Sequence, residues 1–176
     1  MSAEANKGRR QLFVRQVFVA IFGVVFLFAL VGIAVPVTER YRVAWDKGEV
    51  ACLPYRIFLI DLHDQDVVRG ELVSFKTHGL SAKHRPNAIF TKLVAGVPGD
   101  KVDIRDGEVF VGGRLYGPLF LDVAKVLGQP AASFERSFTL ADEEFFVVGT
   151  EHNSFDSRFY GPVSQSTFVG QTRGVW

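Results

Sequence analysis

Residues 102–117 read VDIRDGEVFVGGRLYG, and this stretch decides the fold class. Its two turn dipeptides, Asp106-Gly107 and Gly112-Gly113, lie on either side of a short run with high β propensity. Such dipeptides adopt the positive φ angles that tight hairpin turns require. The stretch therefore predicts antiparallel β structure.

Five further runs have the apolar or alternating pattern that is typical of β-strands. They are RIFLIDL (56–62), GELVSFK (70–76), FTKLVAGV (90–97), EFFVVGT (144–150) and STFVGQTRGVW (166–176). Residues 63–69, 76–87 and 122–136 are polar or mixed, and we expect loops or an inserted excursion there. Because no convincing amphipathic helix follows the N-terminal apolar segment, the sequence predicts a mainly β domain.

That apolar segment runs from Val17 to Val37 and contains no charged residue. About 20 residues of helix cross the roughly 30 Å hydrocarbon core of a bilayer. A cleavable signal peptide is the alternative, but its apolar region runs only about 7–15 residues before a small-residue cleavage site. We therefore expect a single transmembrane anchor over residues 16–37.

The charges on either side of the anchor predict its orientation. Four basic residues precede it, namely Lys7, Arg9, Arg10 and Arg15. On the other side Glu39 and Arg40 offset each other. By the positive-inside rule, residues 1–15 form a cytoplasmic tail, which we expect to be disordered in its first ten residues. Residues 38–176 then form an extracytoplasmic, or periplasmic, domain at the inner membrane.

The overall composition narrows the function classes. The 176 residues carry a formal net charge of +1, and so small a net charge gives no indication of a nucleic-acid partner. The single cysteine, Cys52, rules out an internal disulfide framework and a cysteine-based zinc site. We expect no cofactor and no metal.

Cys52 is the first candidate catalytic residue. It lies in EVACLPYRIFLIDL, residues 49–62, two positions before Pro54 and at the start of an apolar run. A thiol there is either a packed side chain or a nucleophile, since cysteine is a strong nucleophile for carbonyl carbon. The local sequence leaves both interpretations open.

Lys92 is the second candidate. It lies in AIFTKLVAGVPGD, residues 88–100, on the same predicted strand face as Phe90 and Val94. Burial among apolar side chains disfavours an ammonium ion, and a neutral amine can act as a general base. The alternative is a lysine whose stem covers the sheet while its amine reaches solvent.

The third candidate segment is GTEHNSFDSRFYGPV, residues 149–163. It contains Ser154, Asp156 and Arg158, and the last two share a face if the segment is extended. A partly buried pair of this kind would fix the backbone and the neighbouring hydroxyl. The alternative is a polar turn with a weak surface ion pair.

In their order and spacing, these segments resemble the conserved boxes of type I signal peptidases. KLVAGVPGD (92–100) is similar to the family's lysine box, K-x-x-x-G-x-P-G-D, and NSFDSRFYG (153–161) is similar to its S-x-D-S-R-x-x-G box. Members are membrane-anchored serine peptidases with a Ser/Lys dyad on an all-β catalytic domain. The small size and single span look like the conjugative-transfer branch, the TraF type, which matures pilin subunits.

The resemblance implies a role for each candidate. Lys92 falls on the general base and Ser154 on the hydroxyl that orients it, while Asp156 and Arg158 fall on a structural ion pair. Cys52 falls on the nucleophile, where the family reads S-x-P and this chain reads C-x-P. Three positions match the strand box that lines the core and the substrate groove, namely Gly70, Val73 and Phe75.

The chain departs from the family pattern twice. Cysteine replaces the nucleophilic serine at Cys52, and Val50 stands where many members have a hydroxyl that helps to bind the oxyanion. The oxyanion would then rely on backbone N–H groups, chiefly that of Cys52. The exchange is chemically workable because a thiol is a better nucleophile than a hydroxyl near neutral pH.

The resemblance thus implies a Cys/Lys endopeptidase acting on membrane-anchored, pilin-like preproteins, in contact with the lipid bilayer and with components of a secretion system. Water would resolve the thioester to a linear product, whereas the substrate's own amino terminus would resolve it to a circular one. Two alternatives stay open. One is a Cys/His peptidase, and the other is an inactive scaffold of a secretion or conjugation system. The candidate histidines are His63, His78, His84 and His152.

Overall fold

The structure, a computed structural model, describes residues 2–48, 51–77, 87–152 and 154–176. It divides into a helical unit that ends at Arg40 and a β unit, Tyr41–Trp176. The helical unit is one helix, α1 (Ser2–Arg40), which extends past both ends of the predicted span. By length and composition, its portion Arg15–Arg40 is able to cross a bilayer. Helix α1 includes the first ten residues, for which the sequence suggested a disordered tail.

The β unit contains eleven strands among the described residues. They are β1 (Tyr41–Trp45), β2 (Ile57–Asp61), β3 (Leu72–Lys76), β4 (Ile89–Gly96), β5 (Lys101–Arg105), β6 (Glu108–Val111), β7 (Arg114–Pro118), β8 (Arg136–Thr139), β9 (Glu144–Val148), β10 (Val163–Ser164) and β11 (Phe168–Gly174). Each of the five predicted runs contains a strand, so the mainly β fold is confirmed. Strand β1 was missed, although its sequence YRVAW is rich in the aromatic and β-branched residues that favour strands.

Seven strands form the first sheet, in the order β1-β2-β11-β3-β4-β9-β10. Neighbouring strands run antiparallel throughout. Strand β4 lies between β3 and β9, with Val73 opposite Lys92 and Leu93 opposite Val148. The strand that carries Lys92 is therefore held on both sides within the sheet.

The second sheet has the order β7-β6-β5-β8 and contains the hairpins predicted from residues 102–117. Asp106 and Gly107 join β5 to β6 with φ angles of 52° and 73°. Gly112 and Gly113 join β6 to β7 with φ angles of 57° and 77°. Both turns have the positive φ angles that their dipeptides predicted.

Two short helices complete the β unit, α2 (Leu121–Leu127) and α3 (Ser157–Tyr160). Helix α2 lies in the segment expected to be a loop or excursion, and a 3-10 turn, Ala131–Phe134, follows it. Seven residues make fewer than two full helical turns, which is too short for a clear 3.6-residue pattern. The segment is instead fixed by burial, because Val123, Ala124 and Phe134 join the hydrophobic core.

The core has two clusters of buried side chains. One joins residues from both sheets, including Ala95 and Phe146 of the first sheet and Val102 and Val109 of the second. The other belongs to the first sheet, with its buried members in β3, β4, β9 and the segments that pack on them. It supplies the apolar surroundings of Lys92, because Val73 lies directly opposite that residue across the β3–β4 pair.

Candidate active site

Cys52 and Lys92 line the same cleft, which has a volume of about 510 Å³. Cys52 is half-buried in a bend that precedes β2, whereas Lys92 projects from the middle of β4. Aromatic side chains form part of the walls, among them Trp45, Phe90 and Phe155. The cleft therefore brings the predicted nucleophile and the predicted base to one largely apolar space.

Lys92 is buried, with only 2% of its surface exposed. Its Nζ atom lies 2.9 Å from Oγ of Ser154, to which it donates a hydrogen bond, and 5.8 Å from the centre of the Phe90 ring. The alternative of a lysine that reaches solvent is therefore wrong. Since amines in apolar surroundings lose hydration, Ser154 provides the polar contact that this amine would otherwise take from water.

Gly149 makes room for this contact. A Cβ atom at Gly149 would lie 2.1 Å from Oγ of Ser154 and 2.7 Å from the carbonyl oxygen of Cys52. That carbonyl accepts hydrogen bonds from the backbone N–H groups of Thr150, at 3.0 Å, and Glu151, at 3.3 Å. Glycine is thus the residue that lets the Cys52 segment and Ser154 approach the same point.

Asp156 and Arg158 form a fully buried ion pair beside Gly149. The Asp156 carboxylate accepts bonds from Nε of Arg158 at 2.8 Å and from Nη2 at 2.5 Å. It also accepts the N–H of Gly149 at 2.8 Å, while Nη2 of Arg158 donates to the Gly149 carbonyl at 2.9 Å. Both backbone groups of Gly149 are therefore fixed by this pair, which excludes the weak surface ion pair considered from the sequence.

The pair forms in a conformation different from the one expected. Asp156 caps the N-terminus of α3 by accepting the N–H of Arg158 at 3.2 Å, so the two residues meet at a helix end rather than along an extended strand. Carboxylates commonly cap helices in this way. The turn also carries Ser157, whose Oγ accepts the N–H of Val147 at 3.0 Å and ties α3 to β9.

Arg136 and Phe120 support the ion pair from outside the first sheet. Nη2 of Arg136, in β8, donates to the carbonyl oxygens of Ser157 at 2.9 Å and Arg158 at 3.2 Å. The Arg158 guanidinium lies 4.1 Å from the centre of the Phe120 ring. Desolvation lowers the pKa of Arg136 from its usual value. The segments around α2 and β8 thus hold α3 in place, a role that the sequence did not indicate.

The PGD end of the lysine box is structural. Oδ2 of Asp100 lies 2.5 Å from Nη2 of Arg69 and accepts the N–H of Val97 at 2.8 Å. Nη1 of Arg69 donates to the carbonyl of Ala95 at 2.6 Å, and its hydrogen bond with Asp100 raises the pKa of Arg69 above its usual value. These contacts fix the C-terminal end of β4 and the turn that follows it.

The strand box lies in the core, as its pattern predicted, but not in the wall of the cleft. Val73 and Phe75 are fully buried in the first-sheet cluster, opposite Lys92 and Phe90, respectively. Neither Val73 nor Phe75 is among the described residues that line the cleft. The two side chains therefore belong to the core and not to the groove. Gly70 adopts a φ angle of 92°, a conformation that side-chain-bearing residues rarely adopt.

Tyr160 is a half-buried residue with a buried hydroxyl group, and sequence reasoning did not single it out. Its hydroxyl oxygen is inaccessible and has no hydrogen-bond partner among the described residues. Its ring packs edge-on against Phe155, with the ring centres 5.1 Å apart. Burial raises the pKa of Tyr160 well above its usual value, and the negative charges of Asp156 and of an ionised Cys52 raise it further.

The histidines that could serve as alternative bases do not share the cleft wall in the described parts of the chain. His63 and His152 are both exposed, and neither lines the cleft. His152 instead packs edge-on against Phe120, with the ring centres 6.4 Å apart. His78 and His84 lie outside the described residues, as does Val50, the position expected to lack an oxyanion donor.

Comparison with known protein families identifies the family of the chain. The family model described as "Signal peptidase, peptidase S26" matches residues 12–176. The chain therefore belongs to the signal peptidase family, peptidase S26. Its fold is the mainly β fold seen above, preceded by one apolar helix.

Curated relatives include proteins from two functional settings. "Probable signal peptidase I-2" of Synechocystis sp. is 33% identical over 109 residues, which cover 61% of this chain and 47% of that protein. "Plasmid transfer protein TraF" of Escherichia coli is 34% identical over 86 residues, covering 48% of this chain and 49% of that protein. The chain thus spans about half the length of the curated relatives it matches.

A solved signal peptidase I from Enterococcus faecalis V583 also aligns with the chain. The alignment has a TM-score of 0.40 and 22% identity, and it covers 61% of this chain and 97% of that structure.

Proposed function

We propose that the chain is a membrane-anchored, signal-peptidase-like endopeptidase that uses Cys52 as nucleophile and Lys92 as general base. The observation that carries the proposal is the buried Nζ–Oγ contact of 2.9 Å between Lys92 and Ser154, in the same cleft that Cys52 lines. Family membership supports peptide-bond cleavage as the reaction. A buried amine that shares a cleft with a thiol is a candidate to take its proton.

The proposed acylation proceeds in two proton transfers. Neutral Lys92 accepts the proton of the Cys52 thiol while the sulfur forms a bond to the scissile carbonyl carbon after a small residue. The carbonyl oxygen becomes an oxyanion, for which the backbone N–H of Cys52 is the proposed donor. When the C–N bond breaks, protonated Lys92 returns the proton to the leaving amine, and a thioester remains on Cys52.

Deacylation has two possible nucleophiles. Water attack on the thioester releases a linear carboxylate product and restores the thiol. Attack by the substrate's own amino terminus releases a circular product instead. The similarity to the plasmid transfer protein TraF supports a pilin-like preprotein of a conjugation system as the substrate.

The proposed location follows from the apolar helix and its flanking charges. The portion Arg15–Arg40 of α1 would cross the inner membrane once. The basic residues that precede it favour a cytoplasmic N-terminus and a periplasmic β unit. A membrane-anchored preprotein would then meet the cleft at the outer face of that membrane, next to other components of the secretion system.

Mass spectrometry of a pilin-like preprotein co-expressed with this chain tests the proposal. The native protein should yield a shortened product, linear or one water lighter and circular, and Cys52→Ala should yield none. Cys52→Ser should retain part of the activity, because the family's usual nucleophile is then restored. Full processing by Cys52→Ala would remove Cys52 from the mechanism, and no processing by the native chain would favour the inactive scaffold.

A further inference from the structure

Asp46 lines the cleft from a segment that immediately follows β1. Oδ1 of Asp46 accepts the N–H of Gly48 at 2.8 Å, and the N–H of Asp46 donates to the carbonyl oxygen of Arg56 at 2.9 Å. Nη1 of Arg56 in turn donates to the carbonyl oxygen of Gly48. These bonds hold the half-buried Asp46 in place, so the cleft has an oriented carboxylate in a wall that also contains Trp45 and Phe90.

The two basic residues that line the same cleft do not neutralise this carboxylate. Arg42 is exposed on β1, and it forms no salt bridge with Asp46 in the part of the chain that the structure describes. Lys92 donates a hydrogen bond to Ser154 and is neutral in the proposed mechanism. Oδ2, the second oxygen of Asp46, makes no hydrogen bond to another described residue. It therefore remains available to a positively charged ligand in the cleft.

The Cys52 thioester of the proposed mechanism would react with an amine through a charged intermediate. When a neutral amine attacks the carbonyl carbon, its nitrogen becomes positive and the carbonyl oxygen becomes negative. A serine ester tends to expel the amine again, whereas a thioester expels the thiolate, because thiols are more acidic than alcohols and leave more readily. Sulfur at position 52 therefore favours transfer of the acyl group to an amine. A carboxylate in the same cleft can stabilise the positive nitrogen.

We propose that Asp46 forms an acceptor subsite, whose carboxylate binds the incoming amino group and directs the acyl group of the Cys52 thioester to a primary amine in preference to water. The inference rests on the proposed function, in which Cys52 carries the acyl group, and it names the chemical class of the acceptor. The attacking nitrogen forms the new C–N bond and gives one proton to neutral Lys92. The C–S bond then breaks, and the Cys52 thiolate recovers that proton from Lys92.

Resolution of a preformed thioester tests the proposal without requiring peptide cleavage. The full chain in detergent is treated with the p-nitrophenyl ester of N-acetylalanine, so that Cys52 displaces p-nitrophenol and keeps the acyl group. After removal of free ester, intact mass spectrometry follows the loss of this group in glycinamide or in mercaptoethanol. Glycinamide attacks through a nitrogen that becomes positive, whereas mercaptoethanol attacks as an anion, which a carboxylate does not assist. Cys52→Ala is the blank and should carry no acyl group that either reagent removes.

Asp46→Asn should lower the ratio of the glycinamide rate to the mercaptoethanol rate by about tenfold, which is the worth of one charge-assisted hydrogen bond at a half-buried site. Asparagine keeps an oxygen for the N–H of Gly48, so the segment retains its shape. High salt should lower the native ratio toward that of the variant, because ions screen a partly exposed charge. Arg42→Gln removes a cation from the same wall and should not lower the ratio, and Asp122→Asn, exposed in α2, should leave it unchanged.

The proposal is overturned if the native chain and Asp46→Asn give the same ratio, or if Arg42→Gln lowers the ratio as much as Asp46→Asn does. It is also overturned if Cys52 takes no acyl group, or if glycinamide does not shorten the lifetime of that group. Failure of the proposed function gives a different result, because Cys52→Ala would then process the preprotein at the native rate while glycinamide transfer from the loaded thioester still depends on Asp46. The two assays therefore separate the two failures.

Discussion

The Nζ atom of Lys92 and the Oγ atom of Ser154 lie 2.9 Å apart, and the two residues are 2% and 0% exposed. This contact joins residues separated by 62 positions in the chain, and it places an amine where no bulk water can solvate it. A lysine in that setting is a costly feature for a structural protein. Its presence in the same cleft as the half-buried Cys52 is consistent with the proposed proton transfer.

Replacing either partner of this contact should slow peptide cleavage. Lys92→Met should lower the rate by about 10²–10⁴-fold, as expected for loss of a general base. Ser154→Ala should lower it by about tenfold, through loss of one orienting hydrogen bond. Because the two residues act together, the double variant should be no slower than Lys92→Met. Initial rates on the co-expressed preprotein check this, and a native rate in Lys92→Met would exclude the dyad.

Gly149→Ala should disrupt the site although it changes no polar group. The added methyl would overlap Oγ of Ser154 and the carbonyl of Cys52, so one of them must move. Overpacking of this kind costs about 1–3 kcal/mol of stability, and the displaced Ser154 should reduce activity as much as Ser154→Ala does. Gly32→Ala is the matched control, since its Cβ would meet nothing within 4 Å. Equal activity in the two glycine variants would contradict this prediction.

Breaking the buried ion pair should lower the free energy of unfolding. Arg158→Met leaves the Asp156 carboxylate buried without its cation, which typically costs about 3–5 kcal/mol. Chemical denaturation of the detergent-solubilised protein measures the loss. Lys125→Met is the control, because Lys125 and Asp122 form a 3.6 Å pair that is exposed on both sides and should matter little. If both variants lose a similar free energy of unfolding, burial of the Asp156–Arg158 pair does not increase its contribution to stability.

Tyr160 should make the fold sensitive to alkali. Burial raises the pKa of Tyr160 in the folded protein above the unfolded value of about 10, so above that pH the unfolded chain releases this proton more readily. Stability attributable to Tyr160 is thus retained below about pH 10 and lost as the pH rises further. In Tyr160→Phe the alkaline fall in melting temperature should be shallower than in the native protein. Tyr55 is exposed, so Tyr55→Phe is the control and should leave this fall unchanged. If the melting temperature of Tyr160→Phe falls with pH as steeply as that of the native protein, the prediction is wrong.

Much of the fold was predictable because its strands carry local signals. The Asp106-Gly107 and Gly112-Gly113 dipeptides specify their own turns, and the apolar run from Val17 specifies a helix long enough to span a bilayer without help from the rest of the chain. Helix α2 was not predictable, since its seven residues are stabilised by burial in a core assembled from distant strands. Strand β1 was missed although its composition did carry a signal.

The site was predictable in its parts but not in its connections. Spacing and order indicated Cys52, Lys92, Ser154 and the Asp156–Arg158 pair. Nothing local indicates that Gly149 is the point on which the pair, Ser154 and the Cys52 carbonyl converge, because that convergence depends on tertiary approach. The hydrogen bond between the hydroxyl groups of Ser74 and Thr172 was equally hidden, since the two residues are 98 positions apart in the sequence.

The network around Gly149 holds Cys52 by its main chain, through the carbonyl bonds to Thr150 and Glu151. No hydrogen bond in the described network depends on the atom at the end of that side chain. Sulfur and oxygen are therefore interchangeable as far as the framework is concerned, and only the chemistry of the attack distinguishes them. A scaffold organised in this way would let a single substitution exchange the proposed attacking atom at position 52, while Lys92, Ser154 and their supports stay in place.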